Sequence, residues 1–319
     1  MESKIKKRKV VLVGTGMVGM SYAYSILNSD NVCDELVLID KNTEKALGEA
    51  MDLNHSLAFS DYNMKIYAGD YSDCSDADIV TICAGIARKP GDSRLDLLHK
   101  NVEIFKSVVS SVMESGFNGC FLIATNPVDV MTYVTQKLSG FASNKVIGSG
   151  TTLDTSRLRY LLSEHFLVSP KNVHAYVLGE HGDSSFIPWS QVTIGTCSVD
   201  YFCKNHSMQL GSFNAAGVLD EVRKVASEVI KAKKATYYSI GLVLKRITRA
   251  IMSNENSILT LSANPAGKYG FNDLCIGLPC VLGREGIVEV LQLDLNSDEK
   301  VKLASSCEII GGLCAKVNA

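Results

Sequence analysis

The chain has no Cys-x-x-Cys pair and no His-Glu-x-x-His run, so local spacing supplies neither a zinc site nor a dithiol redox motif. It lacks any run of about 18 consecutive apolar residues, which a membrane-spanning helix would need. An excess of one charge is also missing. Lys and Arg total 32 against 34 Asp and Glu, and the formal net charge of −2 offers no general attraction for nucleic acid or anionic lipid. There is no internal repeat and no low-complexity linker. The 10 cysteines are scattered from Cys33 to Cys314. In 319 residues they read as reduced, mostly buried small hydrophobes rather than a disulfide framework, which implies a cytoplasmic protein. The basic start, Lys4 to Lys9 followed by Val10–Val13, imitates a signal peptide. Cleavage there would remove a strand and the glycine loop behind it, so a solvated basic lead-in is expected.

What is present is alternation. Val10–Val13, Glu35–Asp40, Met64–Ala68, Asp78–Cys83, Gly119–Thr125 and Lys145–Gly148 read as strands, with amphipathic stretches such as Glu44–Phe59 and Leu95–Ser115 between them. That order predicts an α/β fold: a Rossmann-type, doubly wound parallel sheet with helices on both faces. Near Gly148-Ser149-Gly150 the rhythm changes. Beyond it a helix (Thr155–Phe166), β-like runs at Val173–Leu178 and Gln191–Gly195, and helices over Phe213–Ala232 and Thr236–Met252 are expected. Strands at Ser257–Ser262, Cys275–Leu282 and Ile287–Leu291 and a closing helix from Asp298 follow. The expected division is residues 1–148, a nucleotide-binding domain, and 149–319, an α+β substrate-binding domain.

Three motifs carry chemistry. Gly14-Thr15-Gly16-Met17-Val18-Gly19 follows the first strand and opens a helix, where glycines admit a pyrophosphate to the backbone and helix N–H groups receive it. Asp40 ends the second strand, where a carboxylate accepts both ribose hydroxyls and repels a 2′-phosphate, so NAD is expected over NADP. After the fourth strand comes a polar loop, Ala84 to Arg94, at the carboxyl end of the sheet where such folds place their sites. Finally, Leu153-Asp154-Thr155-Ser156-Arg157 and Gly179-Glu180-His181-Gly182-Asp183 offer a carboxylate–imidazole pair. A histidine gives and takes a proton near neutral pH, and an aspartate on its far nitrogen fixes the tautomer and steadies the imidazolium. Arg157, one helical turn after Asp154, can grip a substrate carboxylate. His55, His99, His165 and His206 have no such context and read as structural or exposed.

These motifs, with Thr125-Asn126-Pro127-Val128-Asp129 and Ala235-Thr236-Tyr237-Tyr238, resemble the lactate/malate dehydrogenase family over essentially the whole length, and most closely its bacterial L-lactate dehydrogenases. The resemblance implies His181 as acid/base, Asp154 as its orienting partner, Arg157 as carboxylate clamp, Arg94 as the group that polarises the ketone, and Asn126 beside the reacting oxygen. It implies NAD contacts from the glycine loop (Gly14, Gly16, Met17, Val18, Gly19), Asp40, Lys45, Tyr71, Gly85, Ile86, Ser107, Ala124, Asn126 and Ser149, with Thr236 beside the substrate side chain. Pyruvate and L-lactate are the implied substrates. One departure matters: Arg88 stands where many lactate dehydrogenases carry glutamine, and arginine there is the usual sign of malate dehydrogenase. Thr236, Leu95-Asp96-Leu97 and acidic Asp92 point to lactate, with malate the alternative. Arg159 and His174 resemble residues that bind fructose 1,6-bisphosphate across a subunit interface in allosteric relatives, which implies a homotetramer.

Overall fold

The computed structural model describes residues 7–29, 32–86, 94–206 and 212–317, with the side chain of Arg94 outside the description. The first half alternates β1 (Lys9–Val13), α1 (Met17–Leu27), β2 (Glu35–Ile39), α2 (Thr43–Ser56), β3 (Lys65–Ala68), β4 (Ile79–Ile82), α3 (Arg94–Glu114), β5 (Cys120–Ile123), α4 (Val128–Ser139) and β6 (Val146–Gly148). The second half holds α5 (Thr152–Phe166), β7 (Val173–His174), β8 (Thr193–Ile194), β9 (Cys197–Ser198), α6 (Val199–Asn205), α7 (Ala215–Lys233), α8 (Tyr238–Met252), β10 (Ser257–Ala263), β11 (Ile276–Gly283), β12 (Gly286–Val290) and α9 (Ser297–Cys314).

Strands β1, β4 and β5 are buried along their whole length, because helices cover both faces of the sheet and leave no polar side. The first six strands are parallel in the order β3-β2-β1-β4-β5-β6. Strand order reverses between β1 and β4, which opens a crevice at their carboxyl ends. The sheet does not stop at Gly148. There β10 joins antiparallel, pairing Ser262 with Gly148, and β11 and β12 extend the sheet to nine strands. The change of rhythm near residue 148 is therefore a change of strand direction inside one sheet. Gly148 permits the join: a Cβ there would lie 2.3 Å from Thr132 Oγ1 and 2.6 Å from Ser262 Cβ.

Four features differ from the sequence reading. Helix α4 carries Val128, Val130, Thr132, Val134 and Thr135, β-branched residues that hide a helix from propensity. Its buried threonines return their hydroxyls to Val128 O (2.7 Å) and Met131 O (2.8 Å), so neither is left unsatisfied. The run Val173–Leu178 is a strand only at Val173–His174; its middle is drawn to α5, where Val177 N–H donates to Thr155 Oγ1 at 2.9 Å. β9 and α6 are too short for any periodicity to show. The basic lead-in is not simply solvated: Lys9 is 6% exposed and reaches Asp76 at 2.7 Å, and Arg8 holds Asp34 at 3.0 Å.

The two halves also meet where α8 crosses α1. Gly241 makes that crossing close, since a Cβ there would lie 2.7 Å from the Ser21 carbonyl carbon. Beneath it the fully buried Tyr22 hydroxyl contacts Thr248 Oγ1 at 2.6 Å and receives Thr81 Oγ1 at 3.2 Å, joining α1, α8 and β4. Tyr22→Phe leaves the Thr81 donor buried without its acceptor, at a cost of about 1–3 kcal/mol. Urea unfolding should show a lower midpoint with an unchanged slope; an unaltered midpoint would deny the hydroxyl cluster this role.

Candidate active site

The crevice is shaped first by backbone. Gly14 has φ +103°, and a Cβ on it would lie 2.5 Å from Ala84 N, so the β1 loop and the β4 loop touch through a glycine. A Cβ at Gly19 would lie 2.0 Å from Gly14 O, which fixes α1 against its own entry loop. Gly16 is different: a Cβ there meets nothing within 4 Å. Gly16 also begins α1 without any side-chain cap, leaving the first helical N–H groups free for an anion. An open glycine face beneath uncapped N–H groups fits a dinucleotide pyrophosphate.

The ribose end is also assembled. Asp40 accepts Thr15 N–H (2.8 Å) and Thr15 Oγ1 (2.9 Å) on one oxygen and Asn42 N–H (3.0 Å) on the other. Burial would raise its pKa, but these bonds and the Lys45 charge hold it below the ordinary carboxylate value. Lys45 Nζ donates to Thr15 O, tying α2 to the same loop. Tyr71 is half-buried close enough to feel Asp40's charge. Gly85 and Ile86 lie at the opposite lip, where Asn101 Oδ1 accepts Ile86 N–H at 3.0 Å and Asn101 Nδ2 donates to Asn126 O at 2.8 Å. Asn101 thus fixes both loops that flank the crevice.

The groups that the sequence marks as candidate proton carriers stand beside it. His181 Nδ1 lies 2.6 Å from Asp154 Oδ2, and Arg157 Nη1 donates to Asp154 Oδ1 at 2.9 Å. The arginine and aspartate side chains are 14% exposed and the histidine 27%. Burial would lower the His181 pKa, but the charge and hydrogen bond of Asp154, helped by Asp129, outweigh it and raise the value, against a smaller push from Arg157. Asp154 moves the opposite way: burial raises it, and His181 with Arg157 pull it below the ordinary value. The segment carrying His181 is held amide by amide. Gly179 N–H donates to Gly277 O (3.0 Å), Glu180 N–H to Ser306 Oγ (2.7 Å) and His181 N–H to Asp129 Oδ2 (2.8 Å). With Nδ1 engaged, Nε2 is the atom that can face a substrate.

One cleft of about 290 Å³ brings together Val18, Ala124, Asn126, Ser149, Asp154, Arg157, His181 and Thr236. A second, of about 820 Å³, shares Asn126 and His181 and opens toward the start of α3 and the end of α9. Met17 is exposed at the rim of the glycine loop. Ser107 is exposed on α3 and lines neither cleft. Arg88, Asp92 and the Arg94 side chain lie outside the described residues. Arg159 and His174 are not in contact: Arg159 Nε donates to Ala175 O at 3.1 Å beside the Tyr176 ring, and His174 is exposed on β7. His55 and His99 are exposed, while His165 packs on Phe166 and His206 stacks on Phe202.

Sequence reasoning missed two residues here. Arg223, on α7, lines the smaller cleft and donates through Nη2 to Asp183 O (2.7 Å) and Ser185 O (2.8 Å), pinning the turn after His181. A helix arginine gives no sign of this in the chain. Asp129 was visible only as part of a motif, and its partner lies 52 residues away.

Six parallel strands in this order, a glycine loop at their switch point and an imidazole–carboxylate pair beside it define an NAD-dependent oxidoreductase of 2-hydroxy acids. Two family models match, the "lactate/malate dehydrogenase, NAD binding domain" over residues 8–148 and the "lactate/malate dehydrogenase, alpha/beta C-terminal domain" over 151–312. The chain belongs to the lactate/malate dehydrogenase family. It is 51% identical to L-lactate dehydrogenase 2 of Bacillus cereus, over 97% of this chain and 98% of that one. Among solved structures it is similar to a lactate dehydrogenase from a Medee basin deep-sea metagenome library, with TM-score 0.94 and 47% identity over 98% of this chain and 99% of that one. It is also similar to the ligand-bound minor L-lactate dehydrogenase of Enterococcus mundtii, with TM-score 0.94 and 41% identity over 98% of this chain and 99% of that one.

Because Asp154 raises the His181 pKa, the imidazolium persists to higher pH than a free histidine would allow. Asp154→Asn should move the alkaline limit of 2-oxo-acid reduction to lower pH. His181→Ala should cost about 10²–10⁴-fold in turnover, the usual worth of a general acid, with NADH binding nearly intact. Steady-state pH profiles and NADH fluorescence titrations check both. A His181→Ala enzyme that keeps most of its activity would end the assignment.

Proposed function

We propose that the chain is an L-lactate dehydrogenase, catalysing the reversible, NADH-dependent reduction of pyruvate to L-lactate. The observation that carries this reading is the half-buried trio His181–Asp154–Arg157, set against the dinucleotide crevice in one cleft. With the imidazole protonated, the trio bears two positive charges and one negative. A monoanionic 2-oxo acid neutralises it, whereas a neutral imidazole leaves the substrate carboxylate uncompensated. Pyruvate should therefore bind the imidazolium form; lactate needs the neutral ring for a different reason, because its hydroxyl must give a proton to Nε2.

Arg157 uses one nitrogen on Asp154 and turns its remaining donors to the substrate carboxylate. Asn126, held from behind by Asn101, binds at the reacting oxygen, and Thr236 borders the methyl group. Arg94, from the start of α3, polarises the ketone in this reading. NADH, when bound along Gly14–Gly19, Asp40 and the Gly85–Ile86 lip, supplies the hydride. His181 gives its Nε2 proton to the carbonyl-derived oxygen while Asp154 retains the Nδ1 proton in place.

The finer assignments rest on separate grounds. We take residues 1–148 as the cofactor-binding part and 149–319 as the substrate-binding part. A guanidinium and an imidazole on adjacent elements, Arg159 of α5 and His174 of β7, support a fructose 1,6-bisphosphate site in a homotetramer. The described cysteines carry no disulfide, in keeping with the cytoplasm.

Substrate and cofactor choice can be measured directly. Pyruvate should have the higher kcat/KM in a side-by-side assay with oxaloacetate, and Arg88→Gln should widen that preference about tenfold or more if the cation faces the substrate. A preference for oxaloacetate would make this a malate dehydrogenase. Asp40→Ser should relax the preference for NADH over NADPH, because the carboxylate that repels a 2′-phosphate is gone. An unchanged NADH/NADPH ratio would remove Asp40 from the ribose.

A further inference from the structure

Behind the catalytic histidine lies a second carboxylate that the mechanism above leaves unused. Asp129 sits in the first turn of α4, 2% exposed, three residues after Asn126. Its Oδ2 accepts the His181 backbone N–H at 2.8 Å. Its Oδ1 is buried without a hydrogen-bond partner, and so is Ser262 Oγ of β10. The hydroxyl nevertheless lowers the carboxyl's pKa, so the two lie within electrostatic reach but outside good hydrogen-bond geometry.

Among the described residues, the groups whose electrostatics couple to Asp129 include His181 and Glu180 from the pinned segment, Ser262 from β10, Cys275 just before β11, and Cys314 at the end of α9. Among them His181 is the one group that can be a cation. Burial pushes the Asp129 carboxyl up to about 6, against Ser262, the His181 N–H and the His181 charge, with Glu180 adding to the rise. A neutral amide would satisfy the same N–H with less desolvation, so the sequence maintains a buried charge where hydrogen bonding alone does not require one. That charge interacts favourably with the imidazolium and loses the benefit when the ring is neutral.

We propose that Asp129 is a positioning residue: it locks the His181 main chain to the loop that carries Asn126, and its charge joins Asp154 in holding the imidazolium. The proton donor and the oxygen-binding amide are then fixed to each other through one short segment, Asn126 to Asp129. Arg157 pushes the imidazolium the other way, so two carboxylates oppose one guanidinium across the ring. Asp129 itself moves no proton, because the N–H it holds belongs to the main chain.

The inference rests on the lactate dehydrogenase reading, and the wild-type enzyme separates the two: if it reduces pyruvate, that reading stands whatever the variants do. Asp129→Asn keeps an acceptor for the His181 N–H and removes only the charge, whereas Asp129→Ala removes both. The alkaline limb of kcat/KM for pyruvate should shift to lower pH in Asp129→Asn, with KM for NADH unchanged. Above the wild-type limb the loss should be roughly tenfold. Asp129→Ala should lose kcat further at every pH, as a displaced histidine would. If the carboxylate served only the N-terminal dipole of α4, replacing it would lower the melting temperature and leave the pH profile in place. If Asp129→Ala does not fold, Asp129→Asn carries the test. NMR titration of the His181 ring reads the effect without turnover. An unmoved His181 titration in whichever variant folds would overturn the proposal.

Discussion

Taking a carboxylate out of water is costly unless its oxygens are compensated, and Asp154 is compensated on both. His181 takes one oxygen and Arg157 the other, so the proposed acid/base group and the proposed carboxylate clamp are tied to one half-buried anion. Remove that anion and two cations are left side by side, with nothing to fix the ring or aim the guanidinium. Asp154 and Arg157 lie one turn apart on α5, and His181 arrives from a segment stitched to β11, α9 and α4. The pair therefore depends on packing drawn from residues as far apart as Asp129 and Ser306.

The sheet supplies the other fixed frame. The β1 and β4 loops touch at Gly14 and Ala84, and Asn101 joins the β4 loop to Asn126. Cofactor and substrate groups are thereby referred to the same few backbone atoms. Hydride and proton must reach adjacent atoms of one carbonyl, so errors in relative placement translate directly into rate.

Much of this was legible in the chain. Strands of the first half announce themselves because burial on both faces makes them continuous apolar runs, as in Val10–Val13 and Cys120–Ile123. Asp154, His181 and the glycine loop are legible because each residue type has a narrow chemical use. α4 was not, since its β-branched residues are tolerated in a helix only by the tertiary burial they receive. The pairing of Asp129 with a distant amide, and of Arg223 with two carbonyls, leaves no local pattern at all. Arg159 shows the limit of motif matching: the chain identifies a cation, but the fold decides that its Nε is engaged by Ala175 and its plane lies by Tyr176.

The narrow seam between β6 and β10 bears on how such a protein can be recombined. One registered pair, Gly148 with Ser262, carries the sheet from its parallel to its antiparallel part. A first half taken alone would present β6 as a raw sheet edge, with open N–H and carbonyl groups ready to recruit a foreign strand. Grafting a different second half onto it demands little at the seam itself, only no side chain at 148, a small one at 262 and room for Thr132 beneath, but the graft must also bring a glycine to Ser21 and a hydroxyl to Tyr22 where α8 crosses α1. The halves are thus poor free-standing fragments, and a chimera is decided at the helix crossing rather than at the strand join.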